Sequence, residues 1–103
     1  MLGLDALNDN RRAGWLGNGT FWNALPFMNM LYVREELRER GLGTRLVTFW
    51  ESQMREPGYD RAMTSTLSDK DAQDFYRKLG YEERGCLLLP SEPLEILLLK
   101  PLT

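Results

Sequence analysis

Six consecutive residues, Arg38-Glu39-Arg40-Gly41-Leu42-Gly43, carry the strongest chemical signal in the chain. They follow an apolar run, Phe27 to Val33, that reads as a buried strand, and precede Thr44 to Met54, which reads as an amphipathic helix. A short, basic, glycine-bearing turn between strand and helix suits an anion. Glycine lets the main chain approach a ligand, and the first N–H groups of a helix have no partner within it. The helix dipole adds partial positive charge at the same end, so a phosphate is the expected occupant. Glycine also ends strands and opens helices without binding anything, so the turn alone names no ligand.

The remaining composition narrows the chemistry by exclusion. The chain has no histidine, and Cys86 is its one cysteine. Ser-His-Asp and Cys-His nucleophile systems are therefore out of reach, and a zinc site built on His and Cys is too; no metal is expected. Cys86 stands beside Leu87-Leu88-Leu89 and reads as a buried structural thiol. Thirteen basic and fifteen acidic residues leave a net charge of -2, which argues against a nucleic-acid partner. Arg34, Arg38, Arg40 and Arg45 do cluster, but Glu35, Glu36 and Glu39 interleave with them, a pattern that equally describes a solvated face. No apolar stretch has the length of a membrane span and the N-terminus has no signal-peptide pattern, so a cytoplasmic protein without membrane contact is expected.

Those residues must be positioned by one domain, expected to cover residues 1–103, with 43% hydrophobic content to fill its core. Met1 to Ala13 has no clear period and reads as a turn or frayed start. Gly14-Trp15-Leu16 is a short apolar piece, and Gly17-Asn18-Gly19 predicts a turn, with Thr20 to Trp22 completing a hairpin. Asn23 to Pro26 predicts a second turn. Phe27 to Val33, apolar on both faces, belongs in the middle of a sheet covered by helices. Leu46, Val47, Trp50 and Met54 share one face of the following helix, which Pro57-Gly58 stops. Arg61 to Leu67 reads as the next strand, and a parallel strand-helix-strand crossover is expected. Capping residues Ser68 to Asp71 precede a second helix, Ala72 to Leu79, which Gly80 ends in a left-handed cap. Tyr81 to Leu89 and Leu94 to Leu99, joined by Pro90-Ser91-Glu92-Pro93, predict an antiparallel hairpin. The order is β-β-β-α-β-α-β-β, an α/β fold with a mixed central sheet.

With these elements in place, the residues resemble the GNAT family of N-acetyltransferases. Its acetyl-CoA signature is Gln or Arg, two residues, Gly, one residue, then Gly or Ala, and Arg38, Gly41 and Gly43 match each fixed position. Farther on, Ala72, Phe75, Tyr76, Lys78, Gly80 and Tyr81 fit the second family motif, whose core is Ala, two residues, Phe-Tyr, one residue, Lys, one residue, Gly and an aromatic. The similarity runs from about Gly14 to Leu102. Family members usually carry a longer segment before the signature; only residues 1–37 precede Arg38 here, so the first strand and the helices that wall the acceptor site are expected to be reduced or missing, the chain being either a fragment of a longer protein or completed by a partner subunit. Asp69 stands where the family often has an Asn that contacts the pantetheine arm; an ionised Asp accepts hydrogen bonds but donates none.

The resemblance implies acetyl-CoA as co-substrate and an amine of a small molecule or peptide as acceptor. Main-chain N–H groups of Arg38, Glu39, Arg40, Gly41, Leu42, Gly43 and Thr44 would cradle the pyrophosphate. The edge of Leu31-Tyr32-Val33 would pair with the pantetheine arm as an added strand, and an N–H near Leu31 or Tyr32 would polarise the thioester carbonyl. Asp69 and Lys78 would contact the cofactor. Tyr76 would protonate the leaving thiolate, a phenol with a reference pKa of about 10 being protonated at neutral pH. The amine must lose a proton before attack, and Glu35 and Glu36, catalytically Glu36, are the carboxylates nearest in sequence. Trp15, Trp22, Phe27 and Met30 line an acceptor pocket or, for at least half of them, belong to the core. Exposed sheet edges make a homodimer the simplest assembly. Two other readings stand beside the enzyme: a catalytically inert module of the same fold that binds coenzyme A or a partner subunit, and a generic nucleotide-binding domain. The last lacks the Lys-Ser/Thr that follows the second Gly of a Walker-type turn.

Overall fold

An apolar strand in mid-sheet, as the residues before Val33 demand, is the element around which the chain is arranged. The computed structural model describes residues 2–8, 11–22, 24–68, 71–88 and 90–102. Along the chain it places β1 (Leu2–Asn8), β2 (Arg11–Phe21), β3 (Leu25–Val33), a 3-10 turn (Glu35–Leu37), α1 (Leu42–Arg55), β4 (Arg61–Leu67), α2 (Ala72–Lys78), β5 (Glu82–Leu87) and β6 (Glu95–Pro101). The predicted order of elements and the mixed sheet are both present. The sheet runs β1-β2-β3-β4-β6-β5. β3 and β4 are parallel and connected through α1, and the other neighbouring pairs are antiparallel.

The first third of the chain is more regular than its composition suggests. Residues 2–8, read as a turn or frayed start, form β1 against β2. Gly17-Asn18-Gly19 is not a turn but lies inside β2, where Gly17 faces Gly3 on one side and Met30 on the other. Pairing on both edges satisfies main-chain groups that a tight turn would leave to water. The β2–β3 hairpin reverses later, with Trp22 at φ 51° and the Ala24 N–H donating to the Phe21 carbonyl at 2.9 Å. Leu25 and Pro26 consequently join the strand. Gly17 pairs with Met30 and Asn18 with Met28, which leaves Asn29 as the extra residue of a bulge. Met28 and Leu31, three residues apart, thereby reach the same core.

That core lies between the sheet and the two helices. Leu46, Val47 and Trp50 of α1 cluster with Leu16, Met28, Ala62, Leu98, Tyr76 and Tyr81, and Met54 packs at the margin. α1 begins at Leu42, two residues before the predicted start, and the Gly58 N–H closes its end on the Arg55 carbonyl at 2.9 Å. Gly80 has φ 100°, and the Tyr81 N–H reaches back to the Tyr76 carbonyl at 3.1 Å, the expected left-handed cap. The last two strands are antiparallel as predicted, but β6 enters between β4 and β5 and leaves β5 at the edge. All six residues of β5 are exposed. Cys86 is therefore an exposed free thiol and not the buried one its leucine neighbours suggested.

One ionic cluster crosses this core. Glu51 of α1 is 2% exposed. Its carboxylate accepts the Tyr81 hydroxyl at 2.9 Å and the Lys100 ammonium at 3.0 Å. Burial, and next the Glu51 charge, push the Tyr81 phenol well above its ordinary value. Removing one partner of such a cluster leaves a charge buried. Lys100→Met should therefore lower the unfolding free energy by about 3 kcal/mol, whereas Glu51→Leu combined with Lys100→Met should recover much of that loss; chemical denaturation reads both. Because the folded pKa of Tyr81 lies above the unfolded one, its contribution is complete below about pH 10 and is lost as pH rises through the folded value. The fall of stability on the alkaline side should be shallower in Tyr81→Phe.

Candidate active site

The parallel pair β3–β4 is registered at Phe27–Met63 and Met28–Thr64. Among the described residues it extends no farther, although both strands continue. They part toward their carboxyl ends, the position where open α/β sheets receive ligands. A cavity of about 560 Å³ fills the gap. One wall is the freed edge of β3 at Leu31, Tyr32 and Val33; a second is the loop and first turn of α1, with Leu37, Arg38, Glu39, Gly41, Leu42, Gly43 and Thr44; the third is Ala72, Phe75 and Tyr76 of α2. Most of the predicted cofactor residues therefore surround one space, although they come from three elements.

The loop gets its shape from two left-handed residues, Glu39 at φ 64° and Gly41 at φ 80°. A Cβ at Gly41 would meet nothing within 4 Å, so glycine is needed there for the backbone angle and not for lack of room. Gly41 is the N-cap of α1, and its carbonyl takes the Arg45 N–H at 3.0 Å. The N–H groups of Leu42, Gly43 and Thr44 precede that first bond, as at any helix start. Gly43 has a different task from the one its motif position suggests. Its absent side chain would stand 3.4 Å from the Phe75 ring and 3.8 Å from Leu31, so this glycine seats α1 against α2 and β3.

Arg38 turns back toward the strand. Its Nε donates to the Val33 carbonyl at 2.9 Å, and its guanidinium lies 5.4 Å above the Tyr32 ring. Part of the strand edge assigned to a ligand is thus already engaged by the protein. Arg40 is exposed outside the wall. Tyr76 is 7% exposed and makes edge contacts with Phe75 at 5.2 Å and Tyr81 at 5.9 Å. Burial raises its pKa above 10.0, while a hydrogen bond with Thr64 pulls the other way.

Other predicted residues are not brought to the cavity. Glu35 and Glu36 lie on the 3-10 turn, exposed and off the wall, with Glu36 Oε1 3.2 Å from Nε of Arg34. Lys78 is exposed at the end of α2. Asp69 lies outside the described residues. The four candidate acceptor-pocket residues miss both the cavity and the buried core. Trp22 is 88% exposed at the hairpin, and Phe27 meets Phe21 at 5.2 Å. Trp15 stacks on Tyr32 at 4.4 Å, with its Nε1 donating to the sulfur of the exposed Met30 at 3.2 Å. Leu16 beside it is buried in the core, so strand alternation puts Trp15 on the opposite face. Sequence reasoning overlooked Leu37, Ala72 and Phe75 as wall. The spacing of Ala72, Phe75 and Tyr76, three and four apart on one helix face, was the available signal.

Comparison with known proteins agrees with this geometry. The acetyltransferase (GNAT) domain family matches residues 6–83. No curated protein matches the sequence. A Desulfovibrio desulfuricans structure assigned to the GNAT acetyltransferases aligns over 98% of this chain and 69% of its own, with a TM-score of 0.90 and 17% identity. An aminoglycoside 6'-N-acetyltransferase complexed with coenzyme A aligns over 98% of this chain and 72% of its own, with a TM-score of 0.84 and 21% identity. A Bacillus anthracis structure assigned as a streptothricin acetyltransferase, in complex with acetyl coenzyme A, aligns over 94% of this chain and 60% of its own, with a TM-score of 0.87 and 23% identity. At these identities the likeness is one of fold. The family match, the parted parallel strands and the glycine-capped helix between them agree, and the chain belongs to the GNAT family of acetyltransferases.

Proposed function

We propose that this chain transfers the acetyl group of acetyl-CoA to a primary amine of a small molecule or peptide, by direct attack with both substrates bound. The observation that carries the reading is one cavity walled by a helix N-terminus, a strand edge that β4 does not pair and a buried phenol. The cavity fits an extended anionic thioester: the Arg38 N–H is held by the Glu35 carbonyl at 3.3 Å, but N–H groups at residues 39–44 face a phosphate group, with the Arg38 side chain adding positive charge. The edge of Leu31-Tyr32-Val33 accepts an amide chain as a strand would, and a main-chain N–H of Leu31 or Tyr32 polarises the carbonyl. Bound acetyl-CoA supplies the acetyl group, whose carbon bonds the amine nitrogen as the carbon–sulfur bond breaks. Tyr76 holds the proton that the departing sulfur takes. Its raised pKa keeps that proton in place at neutral and mildly alkaline pH. Glu36 pairs with Arg34, so the proton of the amine passes to water.

Acetyl-CoA should raise the melting temperature and release thiol in the presence of an aminoglycoside, a lysine-containing peptide or spermidine. Stabilisation without thiol release would favour the binding-only module, and no stabilisation would remove both. Gly41→Asp should weaken acetyl-CoA binding by about 10- to 100-fold, through left-handed strain and a carboxylate beside a phosphate; calorimetry giving an unchanged Kd would refute the cradle. Tyr76→Phe should lower kcat by about 100-fold with Kd for acetyl-CoA nearly constant. In the parent protein kcat should rise with pH as the amine deprotonates and show no decline up to about pH 9.5, because the acid titrates above 10. A descending limb near neutrality would identify a different acid.

A further inference from the structure

The edge that β3 turns toward the cavity can be followed residue by residue. The Arg34 N–H donates to the Ala13 carbonyl at 2.7 Å. Antiparallel neighbours alternate between pairs that exchange hydrogen bonds and pairs that do not. In the register of β2 and β3, Trp15–Tyr32 is therefore a bonded pair, and Gly14–Val33 and Leu16–Leu31 are not. The main-chain groups of Leu31 and Val33 thus point away from β2, into the gap beside β4. Of these, the Val33 carbonyl is taken, because Nε of Arg38 donates to it at 2.9 Å. The same guanidinium lies 5.4 Å above the Tyr32 ring, which stacks on Trp15 at 4.4 Å. Among the described residues no carboxylate is paired with Arg38. A full positive charge is held at the strand edge by one neutral carbonyl and one ring. Arg38 also lines the cavity together with the first turn of α1.

We propose that Arg38 is a specificity-determining residue that keeps the β3 edge closed until a phosphate-bearing ligand arrives. This rests on the reading of the cavity as an acetyl-CoA site. An amide chain laid along β3 needs the Val33 carbonyl for its own N–H, and Arg38 occupies that position. A phosphate at the start of α1 offers the guanidinium an anionic partner that its fork of donors can grip at two oxygens. Arg38 then leaves the carbonyl, and the carbonyl receives the amide. A ligand with the amide arm and no phosphate must displace Arg38 with nothing to receive it. The two halves of the ligand favour each other's binding through one side chain.

The test uses the full chain and compares coenzyme A with pantetheine, its arm without the phosphates. Amide NMR titrations give both Kd values. Arg38→Met removes the donor and the charge. It should bind pantetheine about fivefold more tightly than the parent does, and coenzyme A about tenfold more weakly. Arg38→Gln, neutral but still able to donate to Val33, should lose coenzyme A affinity without the gain for pantetheine. Inorganic pyrophosphate, its own binding followed in the same spectra, should tighten pantetheine about threefold in the parent and not in Arg38→Met. Arg38→Ala replaces Met if Met disturbs the loop, with the same expectations. Weaker coenzyme A with pantetheine unchanged or weaker would make Arg38 a fixed charge or a loop support. That result overturns the inference and leaves the acetyl-CoA reading standing. Coenzyme A affinity that survives Arg38→Met, or pyrophosphate that leaves pantetheine unmoved in the parent, overturns it too. A parent protein that does not bind coenzyme A removes the acetyl-CoA reading and the inference with it.

Discussion

The structure depends on the early end of one parallel strand pair. β3 and β4 are tied at Phe27–Met63 and Met28–Thr64 and then part. A parallel ladder carried to the ends of both strands would close the space that the cavity occupies. The parting leaves main-chain groups of β3 without a strand partner, a situation proteins normally avoid. Here Arg38 covers part of the edge at the Val33 carbonyl, and Thr64 takes the Met28 carbonyl at the junction. An edge left open on one side and walled by a helix on the other is a receptor for something that can behave as a strand.

The parting can persist because α1 is fixed at both ends. Its first turn rests on Leu31 and Phe75 through Gly43. Its far half is held by Glu51 to Tyr81 and Lys100, and by the Arg55 side chain donating to the Leu102 carbonyl at 2.6 Å. The buried cluster and the cavity are thus two ends of one helix. Tyr81 also joins them through the chain, since it follows the cap of α2 and touches Tyr76.

Much of this was legible beforehand, for identifiable reasons. Elements with strong periodicity and clear stops were read closely: the α1 face of Leu46, Val47 and Trp50, the Pro57-Gly58 stop, and the Gly80 cap. Where the reading failed, a local signal was overruled by pairing. Gly17-Asn18-Gly19 has turn chemistry, but neighbours on both sides hold it in β2. Cys86 has apolar neighbours, but strand order puts it at an uncovered edge. Trp15 and Met30 have the chemistry of a pocket or a core and belong to neither, because the strands turn them to the face away from the helices.

The sequence by itself determined the parts: a glycine-capped helix start, an apolar central strand, a Phe-Tyr pair on a short helix, and the absence of histidine. These follow from local backbone preference and side-chain period, which need only near neighbours along the chain. Tertiary structure decided which parts meet. That Tyr76 shares a cavity with residues 31–33, 37–39 and 41–44, that Glu36 does not, and that Thr64 takes the Met28 carbonyl, depends on strand order, register and the point where two strands separate. Those are relations between segments distant in the chain, fixed by how a whole sheet buries its apolar face, and no local pattern encodes them.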